Sequence, residues 1–149
     1  MATYYSKRDL HFQLFENQNC LELTQYPYFS DHSQETFTLV LDAAEQIAEK
    51  SLYPIFKEMD RNEPQLENGV VKVHPKMREI IRQFGADGWI NAIFPYEEGG
   101  QQLPWTIHLS AGFILQAANY SASVFPFLTT GAANLIRTFG STELRDAFT

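Results

Sequence analysis

Four histidines, one cysteine, an adjacent pair of glutamates and an adjacent pair of glycines are the groups through which this chain of 149 residues could do chemistry. The histidines are His11, His32, His74 and His108. No two stand at metal-ligand spacing and no His-Glu-x-x-His run exists, so no metal ligand is assigned. His108 lies in the most apolar stretch and reads as a hydrogen-bonded core or interface histidine. His74 precedes Pro75 and reads as a capping or loop residue. Cys20 has no cysteine partner and no basic neighbour to lower its pKa, so it reads as a structural thiol. Glu97 and Glu98 diverge on any regular element, and paired-carboxylate catalysis needs convergence. Gly99-Gly100 offers backbone donors to an anion, but two acidic residues precede it, and a tight turn is the better reading. Trp89 and Trp105 are apolar anchors. Nucleophile elbow, phosphate loop and dinucleotide fingerprint are all missing. The chain holds no catalytic constellation of its own, and no catalytic residue is assigned.

The elements that must position these groups are helical. Residues 7–16 form a short amphipathic helix with Leu10, Leu14 and Phe15 on one face and Phe12 beside it. Leu21 to Phe29 contains Pro27 and reads as an irregular packed segment. Asp31 and Ser33 are candidate caps of the next helix, and Asp31-x-x-Gln34 has the form of a capping box. Phe37, Leu41, Ala44, Ala48 and Leu52 follow helical spacing, and Pro54 kinks or restarts the helix. A long loop is expected near residues 60–74, with a short extended piece at Gly69–Val73. Pro75 suits the first helical position of a helix carrying Met77, Ile80, Ile81 and Phe84, which Gly85 or Gly88 ends. Pro104 starts a helix that is apolar nearly all round and therefore central in its bundle. Ser121 or Ser123 caps a further helix, in which Gly131 and Ala132 would let a neighbour approach. Gly140 stops it and Ser141 caps a last short helix. Strand signals are weak, and the fold class is an all-α helical bundle.

Composition agrees. Hydrophobic residues make up 44% and aromatics 14%, with twelve Phe and seven Tyr, enough for a folded core. The formal net charge of -7 argues against nucleic acid or an anionic membrane as the main partner. No run approaches the roughly 18 apolar residues of a membrane span. A lone cysteine and the lack of a visible secretory signal fit a cytoplasmic setting.

Gly88-Trp89-Ile90 followed by Pro95-Tyr96-Glu97-Glu98-Gly99-Gly100 resembles a pattern of the acyl-CoA dehydrogenases. There a helix ends in Gly-Leu/Trp and Pro-x-Glu-x-Gly-Gly-x-Gly follows. Pro95, Glu97, Gly99 and Gly100 match, and Gln102 stands where the last glycine belongs. Downstream, Phe139-Gly140-Ser141-Thr142-Glu143-Leu144-Arg145 is similar to that family's Phe-Gly-Thr/Ser-x-Glu-x-Lys/Arg helix start. Tyr4 to Phe12 resembles the N-terminal extension of its larger members.

The resemblance implies residues 1–30 as an extension packed on the bundle. It implies residues 31–149 as the N-terminal helical domain, cut before a β-domain and a C-terminal helical domain. It implies a flavoprotein of fatty acid β-oxidation that introduces an α,β double bond into acyl-CoA thioesters. In the family a glutamate takes the α-proton and FAD accepts the β-hydride; both sites belong to the other domains, so none is assigned here. By the same resemblance Phe125, Pro126, Phe127, Leu128 and Thr129 match the helix start that walls the acyl cavity, the alternative being that they fill the bundle core. Implied partners are the acyl-CoA substrate, the remaining domains of the same chain, electron-transfer flavoprotein as acceptor, and further copies in a homo-oligomer. An acyl-CoA oxidase or a non-enzymatic helical interaction module of the same fold are the alternatives.

Overall fold

A computed structural model describes residues 4–148. Residues 1–3 of the expected extension and Thr149 lie outside the described residues. Ser6 opens α1 (Lys7–His11) by accepting the Asp9 amide at 3.2 Å. A wider turn, Phe12–Asn17, continues it. Leu14 is buried there, Leu10 and Phe15 pack against the core, and Phe12 is exposed. Two short turns of 3-10 helix, Cys20–Gln25 and Pro27–Phe29, make the irregular packed segment. Cys20 is buried, and burial pushes its thiol up, which keeps it protonated and inert.

Helix α2 (Gln34–Ile47) starts at Ser33 with a reciprocal cap. The partner is Thr36, not the expected Asp31–Gln34 pair. The Thr36 amide donates to Ser33 Oγ at 3.2 Å, and the Ser33 amide donates to Thr36 Oγ1 at 2.8 Å. Asp31 stands outside because the first helical turn begins after it. The helix continues through Ala48–Leu52, Tyr53–Ile55 and α3 (Phe56–Arg61). Pro54 restarts it, lying in the first turn of the 3-10 segment, where a missing donor costs least.

The expected loop carries a hairpin. Strands β1 (Gln65–Glu67) and β2 (Val70–Lys72) pair antiparallel, Leu66 opposite Val71. Asn68 (φ 50°) and Gly69 (φ 76°) turn the chain with the positive dihedrals that suit strand twist. None of residues 62–73 is buried, so the hairpin adds nothing to the core and the class remains all-α.

Helix α4 (Met77–Ala86) begins after Pro75, which sits in the preceding turn. His74 caps that turn: its Nδ1 accepts the Lys76 amide at 3.3 Å, and its Nε2 lies 3.4 Å from Glu58. Met77, Ile80 and Phe84 are buried, whereas Ile81 is on the exposed flank. The stop is Gly88, after which the Trp89 amide reaches back to the Phe84 carbonyl at 3.0 Å.

Pro104 caps α5 (Trp105–Phe139). The two expected helices are arms of this element, broken at Asn119 (φ −164°, ψ 93°). Neither Ser121 nor Ser123 caps the second arm. Asn119 does, its Oδ1 accepting the Ala122 amide at 3.1 Å. Helix α6 (Thr142–Phe148) follows Gly140, with Ser141 Oγ accepting the Leu144 amide at 3.4 Å.

The core is where α2 and α4 meet the first arm of α5. Phe37, Ala44, Ala48 and Leu52 face Ile107, Ala111, Ile114 and Leu115, and the small residues let the helices approach. The first arm is central on one side only. Trp105, Leu109 and Phe113 are more than half exposed; Tyr5 and Leu10 approach that side without covering it. Nothing lies within 4 Å of a Cβ built on Gly131, so among the described residues no neighbour uses the approach expected there.

Candidate functional site

The break at Asn119 aims the second arm of α5 back along the first, and this brings part of the 125–129 stretch onto its partner. Pro126 is buried, and Phe127 reaches across to His108 and Gly112. The rings of Phe127 and His108 meet edge to face at 6.1 Å, and the Trp105 and His108 rings do so at 5.7 Å. A Cβ built on Gly112 would lie 2.4 Å from Phe127 Cζ, so the ring occupies the space the glycine leaves. Phe84, Trp89, Leu115 and Thr130 complete the lining of this crevice. Its polar atoms are quiet. The Thr130 hydroxyl donates to the Pro126 carbonyl at 3.2 Å. Burial pushes the His108 imidazole down, so the ring stays neutral at pH 7. Among the described residues its Nδ1 has no hydrogen-bond partner, so of the core or interface histidine expected there the burial is seen and the hydrogen bond at Nδ1 is not.

The other residues of the stretch point away. Leu128 is 70% exposed, Phe125 is exposed at the arm's edge, and Thr129 spends its hydroxyl on the Phe125 carbonyl at 2.9 Å. Leu128, Gly131 and Leu135 share one outward face, three to four residues apart, and Phe127 borders it. The second arm therefore has an apolar outer face and an aromatic side chain leading inward from it. Sequence reasoning missed Gly112, Thr130 and the contact of His108. An isolated glycine inside an apolar helical pattern was the available signal.

The motif between the helices is a fastening. Tyr96–Glu98 forms one 3-10 turn, and the amides of Gly99 and Gly100 bond to the carbonyls of Tyr96 and Pro95 at 3.0 and 2.9 Å. With those donors used, the turn is no anion cradle. Glu98 pairs with Arg137 of the second arm, and the Arg137 guanidinium stacks over Phe94 at 5.3 Å. Gln102 has φ 49°, the left-handed conformation that favours glycine, at the position where the family pattern has one. Its side chain holds it there, donating to the Tyr28 carbonyl at 2.8 Å, while its own carbonyl meets His32 Nε2 at 3.1 Å. Gln102→Ala keeps the strain and loses the side-chain bonds; Gln102→Gly loses the bonds and the strain together. The alanine variant is expected to be less stable than the glycine variant by about 1 kcal/mol, read from urea midpoints. Equal midpoints would mean that Gln102 is unstrained.

A second space of about 470 Å³ opens between α2 and the segment from Trp89 to Leu103. Leu39, Ala43, Ile47 and Trp89 give it an apolar floor; Gln46, Lys50 and Gln83 give it a polar rim. Lys50 and Asp87 both line it without forming an ion pair among the described residues, and Ser51 there donates to the Gln83 side chain at 3.4 Å, not to a base. Among the described residues no three His, Cys, Asp or Glu side chains are placed to hold a metal ion. Neither space fits a flavin. The crevice leaves only about 10 Å³ of free space, and the wider cleft meets a ring system with amide side chains instead of a fixed array of backbone donors.

Residues 34–149 match the family described as acyl-CoA dehydrogenase, N-terminal domain. Among curated proteins, 3-methylmercaptopropionyl-CoA dehydrogenase of Ruegeria pomeroyi is 25% identical over 134 residues, which is 90% of this chain. The chain spans 23% of that relative's length.

Proposed function

The chain belongs to the acyl-CoA dehydrogenase family through its N-terminal helical domain, and on that premise we propose that the full-length protein is a FAD-dependent dehydrogenase introducing an α,β double bond into acyl-CoA thioesters. In this reading residues 1–30 are an extension and residues 31–149 the helical domain that helps wall the acyl cavity. The catalytic base and the flavin contacts are supplied by a β-domain and a C-terminal helical domain. FAD when bound accepts the hydride; what this chain supplies is an apolar surface that excludes water and holds the fatty tail. Electron-transfer flavoprotein is the proposed acceptor, a homo-oligomer the proposed assembly, the cytoplasm the proposed location and fatty acid β-oxidation the proposed setting. No helix among the described residues is long and apolar enough to cross a membrane.

The observation that carries the cavity role is the outer face of the second arm, where Phe125, Leu128 and Leu135 stand exposed beside Phe127, with Pro126 and Thr129 flanking them. Water contact with so much apolar surface is costly, and an acyl chain suits it. Leu128→Trp in the full-length enzyme is expected to lower kcat/KM for octanoyl-CoA at least ~10-fold relative to butanoyl-CoA, since each excluded methylene withdraws ~0.8 kcal/mol. Dye-coupled oxidation of the acyl-CoA series measures it. A loss that is uniform across chain lengths would remove Leu128 from the cavity.

A further inference from the structure

Phe127 stands between two apolar regions: the outer face of the second arm and the crevice running inward to His108. The void left beside its ring is about 10 Å³, room for at most a water-sized group and not for a run of methylenes. The ring is fixed on three sides. Gly112 receives it without a Cβ, His108 meets its edge, and Pro126 and Thr130 close the helix side. Remove the ring and the outer face opens into a pocket floored by Phe84, Trp89 and Leu115, apolar throughout apart from His108 and Thr130. His108 is neutral at pH 7, so such a pocket would accept hydrocarbon.

We propose that Phe127, seated on Gly112, is the floor of the acyl cavity and confines the full-length enzyme to short acyl groups. The inference rests on the cavity role proposed above and adds the substrate class. A glycine in a helix interior weakens that helix. Gly112 is retained here by the ring it admits, and together they fill the space a longer chain would need. An acyl tail running along the outer face stops at Phe127.

The test is the ratio of kcat/KM for octanoyl-CoA to that for butanoyl-CoA, measured on the full-length enzyme and its variants. Phe127→Ala is expected to raise this ratio at least ~10-fold, because several further methylenes gain a buried site. Phe127→Leu removes less and is expected to raise it about fourfold, about one methylene's burial; it decides the matter if the alanine variant does not fold. Binding of octanoyl- and butanoyl-CoA to the oxidised enzyme by calorimetry should shift the same way. A parent enzyme that oxidises no acyl-CoA of any length would sink the proposed function itself. A parent that is active, with Leu128→Trp acting as expected and both Phe127 variants keeping the parental ratio, would leave the cavity in place and overturn Phe127 as its floor.

Discussion

Gly100→Ala is expected to destabilise the chain by about 3 kcal/mol or more. A Cβ built on Gly100 would lie 2.0 Å from the Phe94 carbonyl oxygen, 2.4 Å from its carbon and 2.7 Å from the Asn91 carbonyl oxygen. These are backbone atoms and cannot rotate aside. The same carbonyls are in use: Phe94 O accepts the Gln102 amide at 2.9 Å, and Asn91 O accepts the Phe94 amide at 2.8 Å. Making room therefore opens the whole turn that joins α4 to α5. Gly131→Ala is the control, since its Cβ meets nothing within 4 Å. It should stabilise the second arm by about 0.5–1 kcal/mol, the usual gain of alanine over glycine in a helix interior. Urea denaturation of both variants measures the pair. If Gly100→Ala unfolds at the parental midpoint, the turn is looser than its geometry states.

Asn119→Ala is expected to cost about 3 kcal/mol, although the side chain lost is small. The residue is buried at the break in α5, and both ends of its amide are committed. Its Nδ2 donates to the Leu52 carbonyl at 3.1 Å, and its Oδ1 accepts the Ala122 amide at 3.1 Å. Leu52 needs that donor because the Phe56 amide, which would serve it in a regular helix, bonds to the Tyr53 carbonyl as the chain passes Pro54. Truncation thus strands a buried acceptor at the end of the Ala48–Leu52 turn and uncaps the second arm. Asn119→Asp keeps the acceptor for Ala122 and lacks the donor for Leu52, so it separates the two losses. Thermal and urea unfolding should rank parent, then both variants well below. An alanine variant within a few tenths of a kcal/mol of the parent, below the usual cost of a lost buried hydrogen bond, would show that water replaces the amide.

The helices were legible where spacing and burial coincide. Phe37, Leu41, Ala44, Ala48 and Leu52 form the stripe expected of α2 and its continuation, and all are buried. The Gly88 stop and the Ser141 cap are local chemistry, and local chemistry is what a sequence states directly. Asn119 was not legible in this way. Its role depends on the Leu52 carbonyl, 67 residues away, and on a defect that Pro54 creates there. Capping by Thr36 instead of Gln34 turned on where the first turn begins, which propensity does not resolve. The first strand of the hairpin was missed although Asn68-Gly69 announces a turn, because Gln65–Glu67 alone carries little strand character. Of the candidate site, the stretch 125–129 was found by resemblance. Its division into inward Pro126 and Phe127 and outward Leu128 and Thr129 required the arm's direction, and the part played by Gly112 required knowing which ring lies over it.

Because β1 and β2 touch nothing in the interior, the segment between α3 and α4 is a place where the chain can change length at little cost. The two helices fix the ends of the ribbon, and the tip at Asn68-Gly69 is exposed. Closing a longer loop between the same ends costs only ~0.6 kcal/mol for each doubling of its length. An epitope, a fluorophore-bearing peptide or a short foreign ribbon grafted at that tip would leave α2, α4 and α5 as they are. The tip is thus a natural handle by which this bundle can be immobilised or observed without disturbing the face that would meet a substrate.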